Sequence, residues 1–156
     1  MVEAVMSVVL VGILMVAAMN TLGATATAQY KNAERSRAVL LAEDLMSEIL
    51  GQSYQEPVDP VQFGRESSEN SSDRQGWDDV DDYDTWSSSP PEYPNGSTIP
   101  ALDTWKREVE VKRVNPMDLT TVVGSESGVK RIVVVVQHND VPVFALTAFR
   151  SNVPGN

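Results

Sequence analysis

The hydrophobic pattern changes period three times along the chain. From Ala4 to Tyr30 no side chain carries a charge, and "AVMSVVLVGILMVAAM" is apolar on every side. From Ala38 onward the apolar residues recur at three- and four-residue steps: Ala38, Leu41, Ala42, Leu45, Ile49. Lys31, Glu34, Arg35, Arg37, Glu43, Asp44 and Glu48 occupy the other faces, so this half reads as an amphipathic helix. Past the apolar run, "QYKNAERSRAVLLAEDLMSEIL" continues with strong helix formers and without Pro or Gly to Leu50; Gly51 is a natural stop and Pro57 lies beyond it. The pattern therefore predicts one helix over about 2–50, roughly 70 Å long at ~1.5 Å per residue.

The third change comes at Trp105, where the period becomes two. In "WKREVEVKRV" Val109 and Val111 share one face, and Glu108, Glu110 and Lys112 share the other. "VKRIVVVVQ" is a β-branched run suited to a central strand, and "VPVFALTAF" is a third strand. The "HND" between them fits a tight turn, with Asn139 and Asp140 able to adopt left-handed backbone angles. An antiparallel sheet of about three strands needs cover on one face, and the stripe of the long helix supplies it. The expected fold is α+β. Its segments are 1–28, an apolar half-helix; 29–50, its amphipathic continuation; 51–104, irregular; and 105–156, the sheet.

The middle segment is crowded with Ser, Pro, Gly, Asn and Asp, which argues against regular elements. Phe63, Trp77, Tyr83, Trp86 and Tyr93 are spaced through it and suggest that it is held against a surface. Composition adds one feature here. The chain has 156 residues and a net charge of −10. Nine acids against Arg74 between Glu66 and Glu92 account for about −8 of that charge. Such a balance argues against nucleic acid as a partner. There is no cysteine, which removes disulfides and thiolate metal sites. His138 is the one histidine, and no nucleophile motif accompanies it or Asp140, so no enzyme is expected.

Ala4 to Thr25 is long and apolar enough to cross a membrane, since a span needs ~20 mainly apolar residues. A cleaved secretory signal fits less well, because no basic residue precedes the apolar run, although "ATATA" at 24–28 imitates a cleavage site. A domain this small also has too little surface to wrap such a helix on all sides. The basic residues Lys31, Arg35 and Arg37 follow the run, which, taken alone, places the downstream part in the cytoplasm. Glu3 stands at the edge of the apolar run. A carboxylate there is costly without a partner and is a functional candidate on that ground.

"WDDVDDYDTW" offers a second candidate, because oxygen-rich clusters bind Ca²⁺ with ~6–8 ligands. Asp79, Asp81, Asp82 and Asp84 are the candidate ligands, against the plainer reading of a solvated acidic loop. The spacing does not follow an EF-hand: counting from Asp79, Tyr83 stands at the fifth position and Asp84 where Gly is required. Apart from that calcium ion, no cofactor is expected. Gly12 permits close approach of another helix. "NSS" at 70 and "NGS" at 95 match the glycosylation acceptor triplet, a pattern common by chance.

The residues "VEAVMSVVLVGILMVAAM" followed by "RAVLLAEDLMSEIL" resemble the opening of the type IV pilin and type II secretion pseudopilin family, whose N-terminus carries a prepilin cleavage and methylation motif. The resemblance covers residues 1–50 and extends to the sheet by architecture alone. It implies a minor pilin or pseudopilin anchored by one span in a bacterial inner membrane, with its folded part in the periplasm or outside the cell. The implied partners are other pilin or pseudopilin subunits, met through the N-terminal helix. Glu3 matches the family's glutamate, which pairs with the free N-terminal amine of a neighbouring subunit. The family's leader, Gly and aromatic first residue are not seen before Met1. The matching expectation is a start further upstream, with Met1 at the third mature position, Glu3 at the fifth and a prepilin peptidase as processing partner. Basic residues in such a leader would reverse the topology read from Lys31, Arg35 and Arg37. The alternative is a membrane-anchored binding module, with one span and calcium dependence, that does not polymerise.

Overall fold

The computed structural model describes residues 1–56, 62–66, 69 and 73–152. Pro57 and the acceptor triplet starting at Asn70 lie outside these residues. The fold is α+β. Helix α1 runs Val2–Leu50 without interruption. A 3-10 helix covers Asp81–Tyr83, and five strands follow: β1 (Ser87–Ser88), β2 (Trp105–Asn115), β3 (Asp118–Val122), β4 (Val129–His138) and β5 (Val141–Ser151). The chain divides into two compact units, Met1–Ser36 and Arg37–Asn156.

The first unit is helix alone, and its large apolar side chains are exposed, among them Val5, Leu10, Ile13, Leu14 and Leu22. This helix is long and apolar enough to span a membrane, and none of its most apolar window is buried. The intrahelical ladder satisfies the backbone there, as hydrocarbon requires. Ser7, Thr21, Thr25 and Thr27 each turn their hydroxyl back to donate to the carbonyl four residues earlier, so these polar groups are satisfied within the helix.

In the second unit the helical stripe is buried as its spacing requires: Ala38, Leu41, Ala42, Leu45, Met46 and Ile49. They join Val109, Val111, Ile132, Val134 and Val136 of the sheet in one apolar cluster. The sheet is antiparallel, in the order β1-β2-β4-β5, with β3 paired to the far end of β2. Register carries the pattern across it. Val109 lies opposite Val134, which lies opposite Leu146; Val111 lies opposite Ile132, which lies opposite Ala148. The β4–β5 turn is the one the sequence calls for, with Asn139 at φ 50° and Asp140 at φ 61°. Both residues tolerate the left-handed region and match a type I′ hairpin.

The sheet has five strands where the sequence pattern suggests about three. The two extra ones are short and lack a buried alternation: β1 has two serines, and every residue of β3 is exposed. The middle segment is irregular, but it is not merely laid on a surface. Trp77, Val80, Tyr83, Trp86 and Leu102 are buried in the same cluster as the helix and sheet.

Trimming the helix–sheet seam tests this packing gently. Ile49→Val removes one methylene from a fully buried side chain. The expected loss is about 0.5–1.5 kcal/mol, read from the denaturant midpoint of the detergent-solubilised chain. No change in midpoint would mean that this turn of α1 does not bear on the sheet.

Candidate functional site

Two places gather the chain's unusual chemistry. The first is the start of α1. Glu3 lies in the first helical turn, where a negative charge meets the positive end of the helix dipole. It is exposed, and among the described residues it forms no salt bridge. Ala4–Thr25 lies wholly within the helix that follows.

The second is the acidic loop, and its aspartates are mostly inside. Asp79, Asp81 and Asp82 are each only 1% exposed. The 3-10 turn explains how this is tolerated. Asp79 Oδ1 accepts from the Asp81 and Asp82 backbone N–H groups, capping the turn. Asp82 Oδ2 reaches back to accept from the N–H groups of Asp78 and Asp79. Carboxylates and backbone amides thus satisfy one another within five residues, as local Asx interactions do.

The sheet supplies the charges that hold this loop. Lys130 projects inward from β4, 1% exposed, and its Nζ pairs with Asp81 Oδ1 and donates to the Tyr54 carbonyl. The same ammonium lies 4.4 Å from the Tyr54 ring centroid. Asp81 Oδ2 also accepts from Gly64 N–H. Asp84 is committed elsewhere, accepting from Val111 N–H at 2.9 Å and pairing with Lys112 at 3.1 Å. Tyr54 closes the far side by donating its hydroxyl to Glu126; burial, then that carboxylate, pushes its pKa well up.

A parallel arrangement lies further along the same face. Arg107 is fully buried on β2, beside Val109 and Val111, and pairs with Asp44 of α1 at 3.3 Å. Arg74 forks onto Glu48 at 2.7 and 3.1 Å. Both guanidiniums face the Trp86 ring, at 5.8 and 4.3 Å from its centroid. Both also donate to the Glu92 carbonyl. Tyr83 donates its hydroxyl to Glu48 Oε1 at 3.0 Å. Helix, loop and sheet are thus joined by charge-assisted bonds whose cations, Arg74 and Arg107, are buried, although the Asp44 carboxylate itself is exposed.

The four aspartates proposed from sequence therefore do not converge on one point. Asp79 caps, Asp81 pairs with Lys130, and Asp84 pairs with Lys112. Asp82 instead comes together with Glu66 and Glu69, one oxygen of each lying within 4.8 Å of the others. Spacing along the chain could not reveal that set, because Glu66 and Glu69 are brought in by the fold of the loop. Burial raises the pKa of Asp79, Glu69 and Asp82. Asp79 is pushed up to about 8 by burial, then by its hydrogen bond to Asp81 and by the neighbouring charges. Glu69 is likewise pushed up to about 8, by burial first and by Asp82 among its neighbours. Burial also raises Asp82.

His138 is accounted for by packing. Its ring stacks on Trp105, with centroids 4.5 Å apart and planes 15° from parallel, and Nε2 lies 3.0 Å from Thr104 Oγ1. At the second acceptor triplet, Asn95 Oδ1 accepts from Ser97 N–H and Oγ, an Asx turn. The features that define the molecule are thus an apolar helix headed by an acid and an α+β unit bolted together by buried ion pairs. No protein-family model, curated protein or solved structure matches the chain.

Proposed function

We propose that this protein is a structural subunit, of the minor pilin or pseudopilin kind, in a type IV pilus or type II secretion-like filament. It is anchored by one span in a bacterial inner membrane, with the α+β unit on the periplasmic or outer side. It assembles through the N-terminal half of α1 with other pilin-like subunits and performs no catalysis.

The observation that carries this reading is Glu3 at the head of a helix whose next residues are apolar on all sides. An ionised carboxylate at that depth needs a cation, and the described part of the chain pairs it with none. A terminal amine on an adjacent subunit is a cation at the right level in the membrane. The two charges then neutralise each other as subunits stack, and removing either leaves the other uncompensated.

Glu3→Ala is the direct test. In the native cells, the variant is expected to fractionate with the inner membrane at the wild-type level and to be lost from filaments and from crosslinked multimers. Undiminished assembly of Glu3→Ala would overturn the proposal. A wild-type chain that sits in the membrane but never crosslinks to itself or to another subunit would instead support a non-polymerising, membrane-anchored binding module.

A further inference from the structure

We propose that Lys130 and Asp81 become joined by an amide bond inside the folded chain, with Asp79 moving the protons. The ion pair between them is the reactant. Among the described residues it is the only lysine–carboxylate salt bridge buried at both ends, each side chain being 1% exposed. The other lysine pairs, Lys106 with Glu108 and Lys112 with Asp84, keep 31% and 32% of the lysine side chain in solvent. Arg74 and Arg107 are buried too, but a guanidinium does not give up a proton and so cannot become a nucleophile.

The surroundings favour the reaction. Lys130 Nζ lies 4.4 Å from the Tyr54 ring centroid and 5.7 Å from that of Phe63, so rings rather than water stand about the amine. Burial disfavours charge, which brings the neutral amine and the neutral acid within reach of the ion pair. In that form Nζ carries a free lone pair, held in contact with the Asp81 carboxyl. Positioning of this kind supplies the effective concentration that condensation lacks in water. Nζ also donates to the Tyr54 carbonyl, and that N–H is the one an amide keeps. The Gly64 N–H donates to Asp81 Oδ2 at 3.1 Å, on an oxygen where negative charge develops as Nζ adds to Cγ. Asp79 is 1% exposed and hydrogen-bonds to the Asp81 carboxyl. Burial first, then that bond, pushes its pKa up to about 8, which suits a group that gives and takes a proton near neutral pH.

The step balances within the chain. The Nζ–Cγ bond forms and one Cγ–O bond breaks. Two of the three ammonium protons depart with that oxygen as water, passed across by Asp79, which ends as it began. No oxidant or other reagent is consumed. One positive and one negative charge disappear together, so the net charge stays at −10. The product ties the 3-10 turn of the acidic loop to β4, 49 positions further along the chain. In a chain without cysteine it takes the place of a disulfide, closing a loop that unfolding would otherwise leave open. This inference does not depend on filament assembly.

The test is the intact mass of the full-length chain, purified in detergent and denatured. The wild-type chain is expected to be lighter than its sequence by one water. Trypsin should then leave residues 75–106 joined to residues 114–131, because it does not cut after an acylated Lys130. Lys130→Arg and Asp81→Ala should each restore the full mass, folded or not, which separates a crosslink from dehydration elsewhere. Asp79→Asn should fold, as tryptophan fluorescence reads, and stay largely unlinked. It retains the ion pair without the bond, so the energy of the pair itself is read in that background. A wild-type chain of full mass would overturn the proposal, as would a missing water that persists in Lys130→Arg. Complete linking in folded Asp79→Asn would overturn the role given to Asp79.

Discussion

Lys130→Met is expected to destabilise the Arg37–Asn156 unit by about 3–5 kcal/mol, the cost of leaving one member of a buried ion pair alone. The lysine is the cation that three aspartates share a small volume with. Asp81 pairs with it directly, Asp82 follows on the same 3-10 turn, and Asp79 just before the turn accepts from the amides of both. Methionine fills nearly the same space, so the loss is electrostatic rather than a cavity. The substitution also removes the donor to the Tyr54 carbonyl and the cation facing the Tyr54 and Phe63 rings. Lys130→Met combined with Asp81→Asn should recover a large part of the loss, since the stranded charge is then gone. The comparison is a double-mutant cycle on denaturant midpoints, followed by tryptophan fluorescence. Strictly additive losses would show that the two side chains do not act as a pair. A single-variant loss below about 1 kcal/mol, the value of an exposed pair, would show that the loop is solvated after all.

That inward lysine also marks where the sequence was readable and where it was not. Helix α1 and the three long strands were legible because each buries a face whose period is set by backbone geometry. The acidic loop was not, because "DDVDDYD" has the composition of a solvated segment and its partners lie far along the chain. A faint signal did exist. Arg107 shares the phase of Trp105, Val109 and Val111, and Lys130 shares that of Ile132, Val134 and Val136. Two basic residues on the buried face of a sheet demand acids brought to them, and the loop is where the acids are. In β4 the signal was masked, because valines occupy both faces and Lys130 and Arg131 are both basic. Only the register against β2 decides which of them points inward. Strands β1 and β3 escaped for a simpler reason. One is too short, and the other buries nothing, so no hydrophobic period records either of them. At Glu3 the sequence and the structure agree on an acid heading an apolar helix.

The second large effect is on pH. In chelator, with protons as the varied ligand, the α+β unit is expected to lose stability as pH rises from about 5 to about 8.5. A carboxyl whose pKa is higher in the folded chain keeps its proton over an interval in which the unfolded chain has already released it. The unfolded chain then binds fewer protons, so folding weakens with rising pH across that interval. Asp79 spans it widely, from an ordinary 3.8 unfolded to about 8 folded. The groups facing it are Asp81 and Asp82 on the same turn, which raise it, and Lys130 of β4, which lowers it without cancelling the burial. Glu69 moves in the same direction, and Asp78 and Asp82 are also raised. Glu126 runs opposite: the Tyr54 hydroxyl, the Gly128 amide, Arg113 and Lys130 outweigh its partial burial and hold it below the usual range. Its contribution is therefore lost only below about pH 4.5, outside the window. From Asp79 alone the expected loss across the window is on the order of 2–4 kcal/mol, at about 1.4 kcal/mol per unit of pKa difference. Denaturant midpoints at pH 5, 6, 7 and 8.5 measure it, and Asp79→Asn should flatten the slope because the amide has no proton to lose. Stability that is level or rising over this range would mean that Asp79 is ionised in the folded chain, and that the turn is held by charge rather than by a shared proton.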